Sequence, residues 1–535
     1  MSILIYHINY VDKDDTTVKT LRISSRRYRT APSDTPSSVA YLDRILNAGE
    51  IEQHLYTPGR TFGPSEVGFG QLSVSNADGE LDYLRGQGFS LQDFEILRVS
   101  GETAALSTAT SIFKGTVEEA LMDWTTLRFV LRDNLSEIDQ PVATNVFAGN
   151  NTATDDYEGD GDNLKDRAKP FVEGKVRGIE PPLCNFTSQL FCTSFDSSGV
   201  PEAASIDAVY VNFLELTLDT GATGSTSGDY ATILALTNAQ VAGHIAAGQY
   251  ATCVAEGAFA ISTTLASGEV VTADVSRTDV TAADIVENII EDRLNISSSR
   301  VDATSFSQLN TDQGATLGVY VDREQSGLAI ISNVFGGIGA HFRACLGGTF
   351  KVGRLAAATG SPSRTYLKAD IIAGRDSGLQ KIDVQDAGDE GIEGLPFKEV
   401  TVRGQKLWRV FSENQFAGAV TLTNREYGKL EYRNRKALAT NSIADIHAGA
   451  GTLTIDSLLD SLTEVQNEAD RQRTLRQVQR DIWVAPVKFD GSLLPLASEV
   501  TLDVTRFGYT SGINGRIIGY KFELDSEIVR YYLWV

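Results

Sequence analysis

A chain of 535 residues is too long for one hydrophobic core, so several domains are expected, and a hydrophobic content of 42% is enough to fill them. With 47 basic and 70 acidic residues the net charge is −23, which argues against a dedicated nucleic-acid binder and favours solubility with weak self-repulsion. No apolar run approaches the roughly 18 residues of a membrane helix, so no membrane insertion is expected.

The N-terminus, MSILIYHINYV, lacks a basic leader and a small-residue cleavage site, and it alternates like a strand. Residues 3–10 and 18–24 read as a leading hairpin across a turn at Asp12–Asp15. Arg26, Arg27 and Arg29 follow in a polar stretch with Pro32 and Pro36, either an arm that docks on a neighbour or a solvated strand end. From Phe62 to Gly149 the period is that of short antiparallel strands. Gln71–Ser75 and Phe94–Val99 alternate, with turn chemistry at Asn76–Gly79. Phe113–Glu118 and Thr126–Leu131 predict a hairpin around Met122-Asp123-Trp124. A first β-unit is therefore expected over 1–149.

The second β-unit, 150–278, opens on a loop crowded with Asp155, Asp156, Glu158, Asp160 and Asp162. Asp156, Glu158, Asp160 and Asp162 alternate as in a calcium loop. The twelfth position carries Arg167 where a bidentate Glu belongs, so a flexible solvated turn competes with metal binding. Strands are expected at 206–218, 248–254 and 258–263, with a mobile Gly/Ser/Thr loop at 219–230 and a short helix within 236–247. An α+β unit, 279–395, holds a helix capped by Thr281 and running to Arg293. A second helix is expected from Ser326 to Val334, then a hairpin of 340–345 and 349–355, a linker at 356–364 and an acid-rich loop at 383–393. The last β-unit, 396–535, begins with the alternating PFKEVTVRGQKLWRVF and carries a predicted amphipathic helix over 458–482. Its apolar stripe is Leu458, Leu462, Val465, Ala469, Leu475, Val478 and Ile482. The fold class expected is mainly β with some α: several sandwich- or barrel-like domains, a smaller α+β part and this one long helix.

Chemistry is scarce. The five histidines, His7, His54, His244, His341 and His447, form no H-E-x-x-H and no Cys/His metal cluster. There is no G-x-S-x-G elbow, and Gly174-Lys175 and Gly428-Lys429 are not P-loops. No enzyme activity and no cofactor are expected. Cys184 and Cys192 could bridge across adjacent strands; the other reading of all four cysteines, with Cys253 and Cys345, is small buried residues in a reducing cytoplasm. Arg433 and Arg435, in NREYGKLEYRNRK, either touch DNA transiently inside a tube or meet an acidic neighbour. Arg473, Arg476 and Arg480 flank the predicted helix and are the other candidates for an interface between copies.

The wording of four blocks is more informative than their period. A "G-x-L-x-V-x-N-x-D-G-x-L-D" turn at Gly70–Asp82 is followed by "F-x-G-T-V-E" at Phe113–Glu118. Then come "L-R-D-x-x-x-x-I-D-x-P-V" at Leu131–Val142 and "F-A-G" at Phe147–Gly149. With EGDGDNLKDRAKPFVEGKVRGIEPPL (158–183) and the C-terminal 500–534, they resemble tail-tip proteins of long-tailed, siphophage-type bacteriophages. The resemblance implies a virion tail component assembled in the host cytoplasm, most simply the central baseplate hub. It also implies a closed, trimeric homo-oligomeric ring and contacts with the tail tube or distal tail protein, the tape measure and fibre or tip proteins. A distal tail protein ring is the nearest alternative. A receptor- or glycan-binding tip protein is another, and would need an exposed aromatic platform. Trp124, Trp408, Trp483 and Trp534 all sit beside strand patterns, where packing is the expected use.

Overall fold

The computed structural model describes residues 3–535 except 58, 64–67, 263, 346, 373–377, 383–394 and 507. The expected acid-rich loop at 383–393 therefore lies outside the described residues. The chain is mainly β with some α.

Local expectations are met where the chemistry is local. Ile3–Val11 and Val18–Ser24 pair antiparallel, and the turn between them is held by Asp12, which accepts from the Asp14 amide at 2.9 Å and from Lys19 Nζ at 2.6 Å. Asn76 explains its turn motif: its side chain accepts from the Leu81 amide at 2.9 Å and donates to Asp82 at 2.8 Å. Thr281 caps Ala282–Asn288, which continues as a π-helical turn over Ile289–Arg293. Ser326 caps Gly327–Gly336, and the hairpin Ala340–Ala344 with Phe350–Arg354 follows. The expected short helix is present, shifted to Ile233–Val241 by its Thr232 cap. The linker at 356–364 is tied down, because the Thr359 and Gly360 amides donate to Glu499 at 2.8 and 2.5 Å.

The long-range pairing was not expected. Strands from both ends of the chain lie in one 15-stranded sheet. Its path runs from Gln380–Ile382 through Ile482–Lys488, Ile528–Trp534 and Ile513–Glu523 to Glu50–His54. It continues through Phe69–Ser75, Thr126–Asp133, Thr110–Met122 and Asp93–Val99 to the leading hairpin. The junction is Glu50–His54, which pairs with Ile513–Glu523 on one side and Phe69–Ser75 on the other. Gly519 is required there, since a Cβ would stand 2.1 Å from His54 Nδ1. One core spans the join, with Tyr6, Leu72 and Phe129 from the first part and Ile517, Tyr520 and Leu533 from the last.

Two five-stranded sheets form a sandwich in the middle of the chain. Phe171–Ile179, Ser205–Val211 and Val271–Ser276 lie in one sheet, and Leu190–Cys192, Gln249–Cys253 and Ala258–Ile261 in the other. Val172, Val176, Val209, Phe191 and Phe259 fill the space between them. Lys169 precedes the sandwich and explains the L-K-x-R-x-K-P block. Its ammonium is buried among the rings of Phe147, Tyr157 and Phe195, 5.3–5.6 Å from their centroids, and donates to Glu158 at 2.6 Å. A third layer combines the helices of 282–336 with the small sheet Arg433–Leu438, Glu399–Gly404 and Thr452–Asp456 around a single core. The segment expected as one unit, 396–535, is thus divided. Its first part shares a core with the helical layer, and its last strands complete the large sheet. Among the described residues no helix is long and apolar enough to cross a membrane.

A buried hydrogen-bond chain crosses the junction. Tyr520 Oη donates to Gln53 Oε1 at 2.6 Å, and Gln53 Nε2 donates to Asp133 Oδ2 at 2.7 Å. Burial lifts the Asp133 carboxyl to about 7, against the opposing hydrogen bonds from Gln53 and the Leu135 amide. Such an acid holds its proton in the folded chain where the unfolded chain, with an acid near 4, has released it. Its contribution is intact below about pH 4 and lost as pH rises through about 7. Asp133→Asn removes this dependence. Between roughly pH 5 and pH 8 the variant should gain stability relative to the parent, on the order of a few kcal/mol. Half-buried His7 and buried His341 act in the opposite sense but are common to both proteins. Thermal melts of the pair across that range check this, and a pH-independent difference would refute it.

Candidate assembly interface

The predicted helix over 458–482 is shorter than expected, spanning Leu462–Arg476. Ser461 caps it, and Leu458 and Leu459 are left in the preceding turn, where the Leu459 carbonyl accepts from the Gln405 amide at 2.8 Å. Beyond Arg476 the chain turns into the strand Ile482–Lys488, where Ile482 and Trp483 are buried. Val478, expected in the apolar stripe, is exposed. Val465 and Ala469 pack on the sheet, and the helix comes so close that a Cβ on Gly404 would meet Val465 Cγ2 at 2.2 Å.

The larger correction concerns the polar flank. Glu468, Gln472 and Arg476 are buried. Glu468 binds Arg354, Arg471 and Gln472. Arg476 is only 5% exposed. It donates from Nη1 to Thr61 Oγ1 at 2.7 Å and from Nε to Gln472 Oε1 at 3.0 Å, and its guanidinium lies 4.8 Å from the Phe62 ring centroid. Arg480 lies 4.8 Å from the Trp534 ring centroid, and its partial burial pulls the guanidinium pKa down. Neither is a rim charge. Arg473 pairs with Asp470 at 3.1 Å and keeps a partly exposed side chain.

Arg433 and Arg435 belong to a different surface. Their strand is an edge of the three-stranded sheet, pairing only with Glu399–Gly404. Arg433 lies 3.7 Å from the Tyr427 ring centroid, and Lys436 meets Glu399 at 2.7 Å. Arg425 and Lys429, on the neighbouring helix Leu422–Gly428, both reach Glu413. Exposed Leu422, Leu430, Leu438 and Ile446 lie in the same segment.

The acidic loop spends its carboxylates on its own shape. Asp156 accepts from the Thr152 and Ala153 amides at 2.5 and 2.7 Å, and Glu158 holds Lys169 and the Ala148 amide. Asp160 and Asp162 are exposed. Among the described residues no group of three or more His, Cys, Asp or Glu side chains is placed to hold a metal. Cys184, Cys192 and Cys253 are buried together as free thiols.

The tryptophans separate. Trp483 and Trp534 are buried, and Trp408 packs edge-on against Tyr320. Trp124 is 94% exposed, against the expectation of packing. It tips the hairpin of Thr110–Met122 and Thr126–Asp133. The first of these strands pairs with Asp93–Val99 only as far as Thr116. Past the Val117 hydrogen bonds to Leu91 and Gln92, no described strand covers that edge. The projecting arm is stiffened by Asp123, which accepts from the Thr125 and Thr126 amides at 2.9 and 2.8 Å. A cleft of about 910 Å³ runs beside it, with Ala120 and Met122 on one wall and Leu84, Arg85 and Phe89 on the other.

Neither a family model nor a curated protein matches the chain. Among solved structures it is similar to the tail protein from Neisseria meningitidis MC58, with a TM-score of 0.40 and 10% identity over 99% of this chain and 96% of that one. It is similar to the 43 kDa tail protein of prophage MuSo2 from Shewanella oneidensis, with a TM-score of 0.38 and 9% identity over 100% and 98%. It is also similar to a chain of the native gene transfer agent virion, with a TM-score of 0.41 and 12% identity over 70% and 85%. At these scores the functional argument stays with this chain's own residues.

The candidate interface arginines are therefore split between an internal network and two separate surfaces. Arg476→Glu should unfold the region around the helix, because replacing one partner of a buried network costs about 3–5 kcal/mol. Arg473→Glu should cost far less, about 1 kcal/mol or under, the scale of a partly exposed ion pair. Circular dichroism melts separate the two, and equal losses would refute the assignment. Excess chelator should leave the melting temperature unchanged, since metal bound only to the folded state would add directly to stability. A clear fall would show that the acidic loop holds a metal.

Proposed function

We propose that the chain is a structural component of a bacteriophage tail tip, most simply the baseplate hub that joins the tail tube to the distal tip and fibres, and that it is not an enzyme. The observation that carries this reading is the place of the sequence blocks that resemble the tail-tip family. Blocks 62–149 and 500–534, at opposite ends of the chain, supply the strands on either side of Glu50–His54 in one continuous sheet, and block 158–183 supplies the buried Lys169 box at the entry to the sandwich. The resemblance thus falls on residues with architectural work to do, including the Asn76 turn and Lys169, rather than on a pocket with reactive groups. A chain of net charge −23 that keeps a basic edge strand and a projecting aromatic arm also suits a subunit that associates through chosen faces. The partners of this reading are further copies in a closed ring, three for a hub, together with the tube or distal tail protein, tape measure and fibre or tip proteins. DNA contact is transient at most. The site of action is the virion tail, assembled in the host cytoplasm. Six copies would make it the distal tail ring instead.

The exposed Trp124 beside its cleft favours a second reading, a glycan- or receptor-binding tip protein, because an exposed indole can stack on a sugar face. Gold-labelled antibody against the chain should decorate the distal end of intact particles. Label elsewhere, or none on particles that infect normally, would overturn the tail-tip reading. Soluble receptor glycans that protect Trp124 fluorescence from quenching would favour the second reading.

A further inference from the structure

We infer that the Trp124 arm of one copy docks on the basic edge strand Arg433–Leu438 of a second copy of this chain. The inference rests on the assembly role proposed above and names the contact that would close the ring. The two faces match at a few residues. The arm carries Glu119 with exposed Leu121 and Trp124, while Glu118 is paired with Arg132 and Asp123 holds its own turn. The edge strand carries Arg435 with exposed Leu438 and, beside it, exposed Leu430, while Lys436 pairs with Glu399 and Arg433 lies on the Tyr427 ring.

Both are also open strand edges. The arm's first strand has no described strand neighbour beyond Val117 on one side, and among the described strands Arg433–Leu438 pairs on one side only, with its Lys436 carbonyl accepting from Gln466 at 3.2 Å. Open edges with unpaired amides and carbonyls are templates for further strands, and opposite charges facing each other across a new pair select the partner. Two strands of like charge would repel. An acidic edge on a chain this acidic therefore selects the rare basic strand, and this one is present on every copy. A contact between two different patches of identical chains is heterologous, so it propagates head to tail and closes into a ring when the rotation permits. Trp124 has the character of an anchor residue, large and stiff, held out by a hairpin whose tip is already hydrogen-bonded.

The test uses the full-length chain by mass photometry, with circular dichroism as the folding control. The parent should form a discrete closed oligomer. Trp124→Ala, Glu119→Lys and Arg435→Glu each alter an exposed or partly exposed side chain and should leave the melting curve unchanged. Each should raise the concentration needed for assembly about tenfold or more, the loss expected for an interface anchor or a facing charge. The double variant Glu119→Lys with Arg435→Glu restores opposite charges with the sides exchanged, and it should recover assembly beyond either single variant. A parent that stays monomeric overturns the self-contact. So does a double variant no better than its singles, or unchanged assembly in Trp124→Ala. In those cases the arm serves another tail protein or a glycan. Antibody labelling of particles decides the tail location independently, so failure of the contact and failure of the tail reading are distinguishable.

Discussion

The architecture depends on one five-residue strand, Glu50–His54. Through it the strands of the first 133 residues become continuous with those of the last 54, and the chain between them is an excursion that adds only the short strands Arg364–Leu367 and Gln380–Ile382 to that sheet among the described residues. Closure is secured by close approach, Gly519 against His54, and by the buried Tyr520–Gln53–Asp133 chain. Gln53 is the centre of that chain, because one amide serves both neighbours, accepting from the phenol and donating to the carboxyl. An apolar residue at 53 would leave Asp133 without its side-chain donor in a fully buried site, which costs more than a missing hydrogen bond at the surface. Loop closure over so long an excursion is entropically tolerable, since its cost grows only logarithmically with length.

The excursion is kept in register by short strand pairings, such as Gly318–Val321 with Phe171–Ile179, and by buried ion networks. Arg293, at the end of the π-helical turn, reaches Glu173 at 2.7 Å, Glu202 at 2.5 Å and the Phe195 carbonyl at 2.7 Å, and lies 4.4 Å from the Phe171 ring centroid. It ties the helical layer to the sandwich. Glu468 and Arg476 do the same between the long helix, the 340–354 hairpin and the loop that joins Glu50–His54 to Phe69–Ser75 in the large sheet. Ion pairs of this kind contribute little net stability over apolar packing, but losing one partner is expensive, so displaced arrangements are penalised steeply.

These networks also explain where the sequence was legible. A cap, a turn or an alternating strand is written within a few residues, and Thr281, Ser326, Asn76 and the leading hairpin were readable for that reason. The polar flank of Leu462–Arg476 was not. Glu, Gln and Arg at helical spacing are the ordinary composition of a solvated face, and only the distant partners Arg354 and Thr61 make them internal. The junction was hidden for the same reason, because pairing between Glu50–His54 and Ile513–Glu523 leaves no mark on either strand's periodicity. Among the candidate site residues, Arg433 and Arg435 are partly exposed on an edge strand, whereas Arg476 is structural, Asp156 binds its own loop and Glu158 binds Lys169.

Trp124 shows the opposite failure. A tryptophan after an alternating run is ordinarily packed, since leaving so large an apolar surface in water wastes on the order of 2–3 kcal/mol of burial. Nothing local at Met122-Asp123-Trp124 signals exposure, and Asp123 spends its carboxylate on a tight turn that points the indole outward. The arm is also the least supported part of the large sheet, because its first strand has lost its neighbour by Glu118. A monomer evolved only to be stable would shorten such a hairpin or cover its edge. Keeping it long, rigid and tipped with an aromatic side chain is costly for the isolated chain, and a partner that buried the tip would offset that cost.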